Sequence, residues 1–505
     1  MLKSGTEYLD SLKDGRVIYV GDETVVDPTT HPAFDRIANT YAALYDLKKA
    51  PENVDLMSYE EGGEQFSTYF LKPRNQADLE KRTRAHRFVT EWSYGLLGRS
   101  PDATASNVTG MAMKPTVLEE NDGGFPEHLS RLWEHLRSND IFLTYAIVPP
   151  PAARNPQFYQ SKGIESPTLR ATKEDDAGVT INGMKFLATG AAVANEVIVG
   201  NILPLAPDQA AESITCIIPF NLPGMSLWAR KPIAQDVKHE FEAPLSFRFD
   251  ESDCMLVFEN VHIPWENVIV HNNAPLSRDV FIKSASHVLS NHQSNCRFHS
   301  KMRLVLGMAS MITTATGARD VPAVRETLGR LAAMEAAFGA LIDAQIYAHE
   351  QLTEEFVLYS RRYMYAGLAW AAEHHSALLD TVRELMGGGV FQFPASINLV
   401  RDPALKTMFD KYWSTVDDSS VDRMKLFSLA WDLVGSAHAS RLQSYEKFFV
   451  GPVFSIRNYS YINAPWDEFD AIVEDLMQQY DVCLLYTSDA ADERSSVDLG
   501  GRRII

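Results

Sequence analysis

The spacing of apolar residues changes twice along this chain of 505 residues, and this change restricts the folds that it can adopt. Up to residue 148, apolar residues recur every three or four positions, the spacing of one helix face. This spacing predicts helices over Pro32–Lys49, Gln76–Gly98 and Pro126–Ser138. The triplet Pro149-Pro150-Pro151 cannot continue a helix, so we predict a helical first domain over residues 1–148.

Beyond this triplet, apolar and polar residues alternate with a period of two, which indicates β-strands. Asp-Ala-Gly and Asn-Gly turn signals separate the first strands. The predicted strands are Thr168–Thr172, Val179–Asn182, Lys185–Ala188, Val197–Leu203, Ile214–Pro219, Leu245–Phe249 and Cys254–Glu259. Short strands at this density predict a β-barrel or a sandwich domain over residues 149–275.

After Ala274-Pro275 the helical spacing returns in longer stretches. The predicted helices are Ser284–Gly317, Val321–Glu350, Glu354–Leu385 and Ser420–Phe449. Four long amphipathic helices favour a four-helix bundle over residues 276–482. The order of helical, β and bundle segments predicts an α+β fold, with any cleft where the β domain faces the bundle.

Charge and cysteine content exclude several classes of protein. The chain has 47 Lys and Arg against 66 Asp and Glu, a net charge of −19, and binding to nucleic acid needs clustered cations. No apolar run reaches the ~20 residues of a membrane helix, and Met1–Gly15 lacks the apolar core of a signal peptide. Cys216, Cys254, Cys296 and Cys483 form neither a disulfide framework nor a CxxC metal pair. We therefore expect a soluble, cytoplasmic protein without a metal centre.

Residues 483–505 resemble the in-frame translation of a DNA library adapter. We interpret this segment as a scar rather than native protein and leave it out of the fold prediction. It contributes little to the net charge, so the charge argument does not depend on it.

Several motifs with a known physical mechanism are absent from the sequence. There is no GxGxxG, GxxxxGK[ST], HExxH or GxSxG, which argues against nicotinamide dinucleotide binding, NTP binding, zinc proteolysis and serine hydrolysis. The cluster Gly387-Gly388-Gly389 is typical of a helix C-cap, with close approach to a ligand as the alternative.

Four strings in order resemble the oxygenase component of the two-component, flavin-dependent 4-hydroxyphenylacetate 3-monooxygenase family. They are Thr-His-Pro-Ala-Phe (30–34), Tyr-Gly-Leu-Leu-Gly-Arg-Ser-Pro-Asp (94–102), Pro-Leu-Ser-Phe-Arg-Phe-Asp (244–250) and Asn-Val-His-Ile-Pro-Trp-Glu-Asn-Val (260–268). The resemblance runs from Leu2 to about Asp481. It implies an acyl-CoA dehydrogenase-like fold with a helical N-terminal domain, a central β-barrel and a C-terminal four-helix bundle, assembled as a homotetramer.

The resemblance also implies a reaction. The expected activity is insertion of one oxygen atom ortho to a phenolic hydroxyl through a flavin C4a-hydroperoxide, formed from reduced FAD and molecular oxygen. A separate NAD(P)H-dependent flavin reductase would supply the reduced FAD, which agrees with the missing nicotinamide fingerprint. The flavin carries the difficult chemistry, and the protein must orient the phenol and exclude water.

The same resemblance implies Tyr94, Tyr145 and His292 as catalytic residues. Tyr94 is expected to contact the substrate phenol, and His292 to hold the proton of the hydroperoxide or to be an ordinary buried histidine. Relatives that hydroxylate 4-hydroxyphenylacetate have arginine where Thr90 stands and histidine at Tyr145. These changes favour a different phenol or a different mode of activation, although packing alone could explain Tyr145.

The expected flavin contacts come from three segments. Thr189 would supply a hydroxyl to the edge of the flavin ring, while a loop before it and a turn after the last long helix would border the ring. These residues are Pro151, Ala152, Ala153, Arg154 and Gln157 in the loop, and Phe449, Val450, Gly451 and Pro452 in the turn. Ala153 stands where relatives commonly have aspartate, which weakens this part of the assignment.

The sequence leaves two other functions open and argues against a third. An acyl-CoA dehydrogenase-like flavoenzyme would share the architecture, and a non-catalytic flavin-binding subunit would explain the two changed substrate positions. The iron–sulfur 4-hydroxybutyryl-CoA dehydratases need thiolates from the N-terminal domain, but residues 1–215 contain no cysteine.

Overall fold

The computed structural model describes residues 2–120 and 122–479. Its first part is mainly helical, as predicted, with helices α1 (Gly5–Ser11), α2 (Asp35–Lys49), α3 (Val54–Met57), α4 (Gln76–Trp92), α5 (Pro101–Ala112) and α6 (Pro126–Ser138). Helix α4 ends before the predicted limit because Tyr94 and Gly95 have φ angles of 55° and 68°. Such angles cannot continue a right-handed helix.

Two sheets contain most of the strands. The strands are β1 (Ile18–Val20), β2 (Glu23–Val25), β3 (Ser58–Glu61), β4 (Glu64–Ser67), β5 (Leu143–Ala146), β6 (Arg170–Asp175), β7 (Gly178–Thr189), β8 (Glu196–Val199), β9 (Thr215–Pro219), β10 (Met225–Ala229), β11 (Asp253–Pro264) and β12 (Val268–Val270). The larger sheet has the order β2-β1-β10-β11-β7-β6, and the smaller has the order β12-β9-β8-β5.

Neither sheet closes on itself within residues 2–120 and 122–479, so the closed β-barrel that the resemblance implies is not found there. Strands β1 and β2 extend one edge of the larger sheet, and β5 forms an edge of the smaller one. These three strands come from the mainly helical first part of the chain, where the spacing did not predict them.

Two predictions in the β region are wrong in detail. Val179–Asn182 and Lys185–Ala188 belong to the single strand β7, because Gly183, with φ of 120°, stays in the ladder opposite Phe258 and no turn separates the two segments. Leu245–Phe249 lies in helix α8 (Pro244–Phe249) rather than a strand. The carboxylate of Asp432 accepts hydrogen bonds from the backbone N–H groups of Leu245 and Ser246, at 2.9 and 2.7 Å, and so caps this helix.

The remaining elements are helical apart from one short hairpin. They are α7 (Pro156–Gln160), α9 (Leu276–Ile282), α10 (Ser286–Ala315), α11 (Pro322–Tyr347), β13 (Glu350–Gln351), β14 (Val357–Leu358), α12 (Arg361–Met386), α13 (Pro403–Trp413), α14 (Ser420–Val434), α15 (Ala437–Phe448), α16 (Val453–Ile462) and α17 (Trp466–Gln478). The predicted helix Ser420–Phe449 is two helices, because the Ser436 hydroxyl accepts from the Ala439 N–H and starts α15 anew. Gly387, with φ of 58°, ends α12 as a C-cap.

Helix α10 is central to the arrangement. It packs against α11, α12 and α14 of the C-terminal part and against α4 and α5 of the first part, while α14 and α15 pack together. The interpretation of residues 483–505 as a scar concerns a segment outside the described residues. No helix among residues 2–120 and 122–479 combines the length and apolarity needed to span a membrane.

Candidate active site

A tight turn between α4 and α5 carries the first predicted catalytic residue. Tyr94 has a positive φ of 55°, which is unfavourable for a residue with a side chain, and its ring lies edge-on to Phe249 at 6.3 Å between centroids. At Gly95, a Cβ would collide with the backbone of Arg297 on α10, so only glycine fits this close approach. The Tyr94 side chain is 46% exposed. Backbone strain of this kind is concentrated at functional sites.

Arg99, at the end of the same turn, brings two predicted site residues together. Its guanidinium donates a hydrogen bond to the Tyr145 hydroxyl on β5 and lies 4.3 Å from the centre of the Tyr145 ring. The same guanidinium lies 4.3 Å from the centre of the Phe449 ring, at the end of α15. Arg99 is only 7% exposed. The ring centre of Tyr445, on α15, lies 5.6 Å from the guanidinium, and we call Arg99, Tyr145, Tyr445 and Phe449 the Arg99 cluster.

Thr189 lies at the end of β7, next to the strand that carries Tyr145. The Thr144 hydroxyl donates to the Thr189 carbonyl oxygen at 2.7 Å, and the Thr189 hydroxyl donates to the Asp253 carboxylate at 2.6 Å. Burial alone would raise the pKa of Asp253, but Arg441 and Arg230 lower it well below its usual range. Asp253 therefore stays ionised, and the Thr189 oxygen keeps lone pairs that can accept from a ligand.

Buried ion pairs surround the Arg99 cluster. Glu446 accepts from both Arg297 and Lys301, and Asp253 accepts from both Arg230 and Arg441. Arg230 also pairs with Asp250, and Arg441 with Glu251. These pairs match four cations, Arg230, Arg297, Lys301 and Arg441, with four carboxylates, Asp250, Glu251, Asp253 and Glu446.

Arg99 is a fifth cation, and no carboxylate of the described residues lies within ion-pair distance of its side chain. Burial lowers the pKa of Arg99, but a guanidinium remains charged in proteins. Close by, the Tyr445 hydroxyl is buried and has no hydrogen-bond partner in the described part of the chain. An unpaired cation and an unpaired hydroxyl in one place fit a polar, electron-rich ligand.

His292 lies in a different environment on α10. Its Nδ1 is 2.7 Å from the Gln345 side-chain oxygen, its Nε2 is 2.9 Å from the Thr83 hydroxyl, and its ring stacks on Tyr359 at 3.5 Å. Burial, with a contribution from His86, holds the pKa of His292 well below its usual range. Both ring nitrogens thus contact protein groups, and the Arg99 cluster does not include this histidine.

The predicted flavin-binding loop follows β5. Pro151–Arg154 form a short 3-10 helix, and Gln157 lies in α7. Pro151 and Gln157 are exposed, whereas Ala153 is buried. Because the Phe186 N–H donates to the Val148 carbonyl at 2.8 Å, the start of this loop is attached to β7, the strand of Thr189.

The turn after α15 continues from Phe449 through Val450 and Gly451 to Pro452. Gly451 has a φ of 91°, and a short β-bridge joins it to Phe449. Among these four residues of the turn, only Phe449 has a contact with Arg99 in the described part of the chain. The structure therefore brings Tyr145, Thr189 and Phe449 to one region, with Tyr94 on the same turn as Arg99.

The sequence analysis did not single out Arg99, Asp253 or Tyr445. Arg99 was inside the string 94–102, but a motif alone does not say which of its side chains is buried without a counter-charge. Asp253 and Tyr445 come from segments far apart in the sequence, and no local spacing connects them.

Comparison with known proteins identifies the family. The family model described as 4-hydroxyphenylacetate 3-hydroxylase N terminal matches residues 4–270, and the corresponding C-terminal model matches residues 277–478. The chain is 28% identical to the 4-hydroxyphenylacetate 3-monooxygenase oxygenase component of Pseudomonas aeruginosa, over 90% of this chain and 88% of that protein. It is 27% identical to the pyoverdin chromophore biosynthetic protein PvcC of the same organism, over 90% of each chain.

A third relative is the 4-nitrophenol 2-monooxygenase oxygenase component of a Rhodococcus species, 27% identical over 95% of this chain and 92% of the other. Among solved structures, the oxygenase component (HpaB) of 4-hydroxyphenylacetate 3-monooxygenase, complexed with FAD and 4-hydroxyphenylacetate, is similar with a TM-score of 0.88. That similarity covers 94% of this chain and 98% of the other at 25% identity. Since the two family models together span most of the sequence, this chain belongs to the 4-hydroxyphenylacetate 3-hydroxylase family.

Proposed function

We propose that this chain is the oxygenase component of a two-component monooxygenase that inserts one oxygen atom ortho to the hydroxyl of a phenol. The observation that carries the proposal is the family match over residues 4–270 and 277–478, which includes every residue of the Arg99 cluster. Of the strings that carry the resemblance, 94–102 contains Arg99, and 244–250 contains Phe249, whose ring lies against that of Tyr94.

The residues of the site fit FAD as a cofactor. Thr189 offers lone pairs, Tyr445 offers a free hydroxyl, and Phe449 offers an aromatic face. We assign flavin binding to Thr189, the loop Pro151–Arg154 with Gln157, and the turn from Phe449 to Pro452. Bound reduced FAD supplies the activated oxygen, which a protein side chain cannot provide.

The protein groups orient the phenol and keep the site dry. We assign Tyr94 and Tyr145 to the substrate, because both carry a hydroxyl and both lie on elements that meet at Arg99. Aromatic rings around the guanidinium reduce its contact with water, which strengthens its hydrogen bonds to bound oxygen atoms. A role of His292 beside the flavin remains a prediction, since both of its nitrogens contact Gln345 and Thr83 in this structure.

The assembly and setting are also part of the proposal. A flavin reductase that uses NAD(P)H would deliver reduced FAD, and we propose that the chain acts in the cytoplasm.

We further propose three domains, with a barrel-like β domain at 149–275 between helical domains at 1–148 and 276–482. A homotetramer is supported by exposed apolar side chains along α17, which are Trp466, Phe469, Ile472, Val473, Leu476 and Met477.

One alternative has a specific observation in its favour. A non-catalytic flavin-binding subunit would explain why Thr90 and Tyr145 stand where relatives that hydroxylate 4-hydroxyphenylacetate have arginine and histidine. The Thr90 hydroxyl is indeed used within the protein, since it accepts from Ser300 at 3.0 Å and donates to the Arg87 carbonyl.

A turnover experiment separates these functions. The purified chain, chemically reduced FAD and oxygen are mixed with a panel of phenols, and products are identified by mass spectrometry while hydrogen peroxide is measured. The proposal expects an ortho-hydroxylated product from at least one phenol. Hydrogen peroxide alone from every phenol would support the non-catalytic alternative.

A further inference from the structure

The charge around Arg99 is unbalanced in a way that the proposed function does not by itself explain. Arg230, Arg297, Lys301 and Arg441 have carboxylate partners, whereas the Arg99 guanidinium has the Tyr145 hydroxyl and a long contact to the Gly98 carbonyl. Burying an unpaired cation is costly. A site that keeps such a cation is prepared for an anion that arrives from outside.

We propose that Arg99 binds the phenolic oxygen of the substrate in its ionised form, as a phenolate, beside the Tyr145 hydroxyl. This inference rests on the proposed function and adds a substrate-binding residue to it. The phenol loses its proton to solvent, and the oxygen anion then accepts charge-assisted hydrogen bonds from the guanidinium. The expected substrates are therefore phenols that ionise readily, such as those with nitro or halogen substituents.

The neighbouring groups favour a singly charged oxygen over a phosphate. The backbone N–H groups of Gly98 and Arg99 both donate to the Glu251 carboxylate, at 2.7 and 2.9 Å. These donors are therefore not available to cradle a phosphate, and Glu251 itself would repel a doubly charged group. One guanidinium remains for one negative charge.

Titratable side chains face Arg99 from each of the elements that pack against it, and together they determine the net charge around the guanidinium. Arg297 approaches from α10, Arg441 and Tyr445 from α15, Glu251 from the residues before β11, and Tyr145 from β5. Arg297 and Arg441 are balanced by Glu446, Glu251 and Asp253. Burial raises the pKa of Tyr445 to about 12, so this hydroxyl stays neutral and can donate to an anion as well.

Binding of 4-nitrophenol tests the proposal without turnover, because its anion has a distinct visible absorbance. Bound to the wild-type chain, 4-nitrophenol should ionise at a pH about 1–3 below that of the free compound, since an adjacent cation favours the anion. In Arg99→Met this difference should vanish, and affinity for the anion should fall roughly 10- to 150-fold. Affinity for oxidised and for reduced FAD, measured without oxygen, should change less than about twofold.

Controls separate charge from folding. Arg303→Met removes an exposed arginine of α10 that pairs with Glu91, and it should leave all affinities unchanged. 4-Nitroanisole, which cannot ionise, should bind equally to wild type and Arg99→Met. If Arg99→Met fails to fold, Arg99→Lys retains the charge and should preserve the lower ionisation pH with weaker binding.

Three results would overturn the inference. These are ionisation of bound 4-nitrophenol at the same pH in Arg99→Met as in wild type, loss of FAD affinity equal to the loss of 4-nitrophenolate affinity, or no binding of 4-nitrophenol to wild type. Tyr145→Phe should keep the preference for the anion, because Arg99 then loses a competing acceptor. Failure to hydroxylate any phenol would refute the proposed function but would leave these binding results unaffected.

Discussion

His292 and Arg297 lie little more than one turn apart on α10, yet His292 contacts neutral side chains and Arg297 pairs with an ionised one. We call His292 with Thr83, Gln345 and Tyr359 the His292 core: both ring nitrogens of His292 contact protein groups, and its pKa is held low, while the Nε2 atoms of Gln345 and of the nearby His86 have no hydrogen-bond partner in the described part of the chain. Around the Arg99 cluster, ionised groups are abundant; among the described residues, the Arg99 guanidinium has no carboxylate within ion-pair distance and the Tyr445 hydroxyl has no hydrogen-bond partner. A neutral polar group without a partner costs less to bury than a cation without a counter-charge, so the Arg99 cluster indicates a ligand more strongly than the His292 core does.

The largest expected effect comes from breaking the ion pairs that support the Arg99 cluster. Glu446→Gln leaves Arg297 and Lys301 buried without their counter-charge, so the free energy of unfolding should fall by about 3–5 kcal/mol. Denaturant unfolding at neutral pH measures this loss. The control Glu91→Gln, which breaks an exposed pair with Arg303, should cost no more than about 1 kcal/mol. Equal losses in both variants would contradict the distinction.

The same carboxylate makes the stability dependent on acid. Burial alone would raise the pKa of Glu446, but Arg297 and Lys301 hold it well below its usual range. The unfolded chain takes up a proton at this residue near pH ~4.3, before the folded chain does. Its stabilising contribution is therefore complete above that pH and is lost as the pH falls toward the folded value.

The sequence predicted the helical elements well because apolar spacing is local information. Helix α6 has the predicted limits, and α10 differs from its predicted limits by two residues at each end. Leu245–Phe249 failed because its helix is capped by Asp432, which is distant in sequence. The same reason applies to the site: nothing local in the string 94–102 connects Arg99 with Tyr145 or with Phe449. The resemblance supplied Tyr145, Thr189 and Phe449, and the structure was needed to show the cation that lies among them.

A second prediction tests whether the His292 core is structural. His292→Phe keeps the stack on Tyr359 but removes the contact of the buried Gln345 oxygen and one of the contacts of the Thr83 hydroxyl, so the free energy of unfolding should fall by about 1–3 kcal/mol. A purely structural role leaves the rate of hydroxylation near that of wild type. Loss of hydroxylation with unchanged stability would instead support the predicted role beside the flavin.

The pH dependence of that variant gives an independent measurement. Burial, and then His86, lowers the pKa of His292, so the unfolded chain binds this proton first as the pH falls below ~6.5. The stability of wild type should therefore decrease below that pH by up to about 1.4 kcal/mol per pH unit from this residue. In His292→Phe the decrease should be shallower by that amount. Unfolding curves at several pH values between neutral and mildly acidic conditions measure the difference.

A smaller effect is expected at Tyr94. Tyr94→Phe removes one hydroxyl from a 46%-exposed residue, so stability should not change, while loss of one hydrogen bond to the substrate should slow hydroxylation about 2- to 10-fold. Steady-state product formation and FAD affinity are measured in parallel. Tyr412→Phe, at another exposed tyrosine, should change neither. Equal loss of hydroxylation and FAD affinity would contradict the assignment of Tyr94 to the substrate.

The smallest effect, and the one that separates the two regions most directly, is on the stability of Arg99→Met. Removing His292 or Glu446 takes a partner away from other side chains. Removing Arg99 takes away a buried cation that has no carboxylate partner among the described residues, and Met retains much of the packing against Tyr145 and Phe449. The free energy of unfolding should therefore stay within about 1 kcal/mol of wild type or rise slightly. A loss as large as that of Glu446→Gln would show that Arg99 is held for folding and not for a ligand. With the same concentration of 4-nitrophenolate present, wild type should become more stable than Arg99→Met, because the anion binds more tightly to the chain that retains the guanidinium.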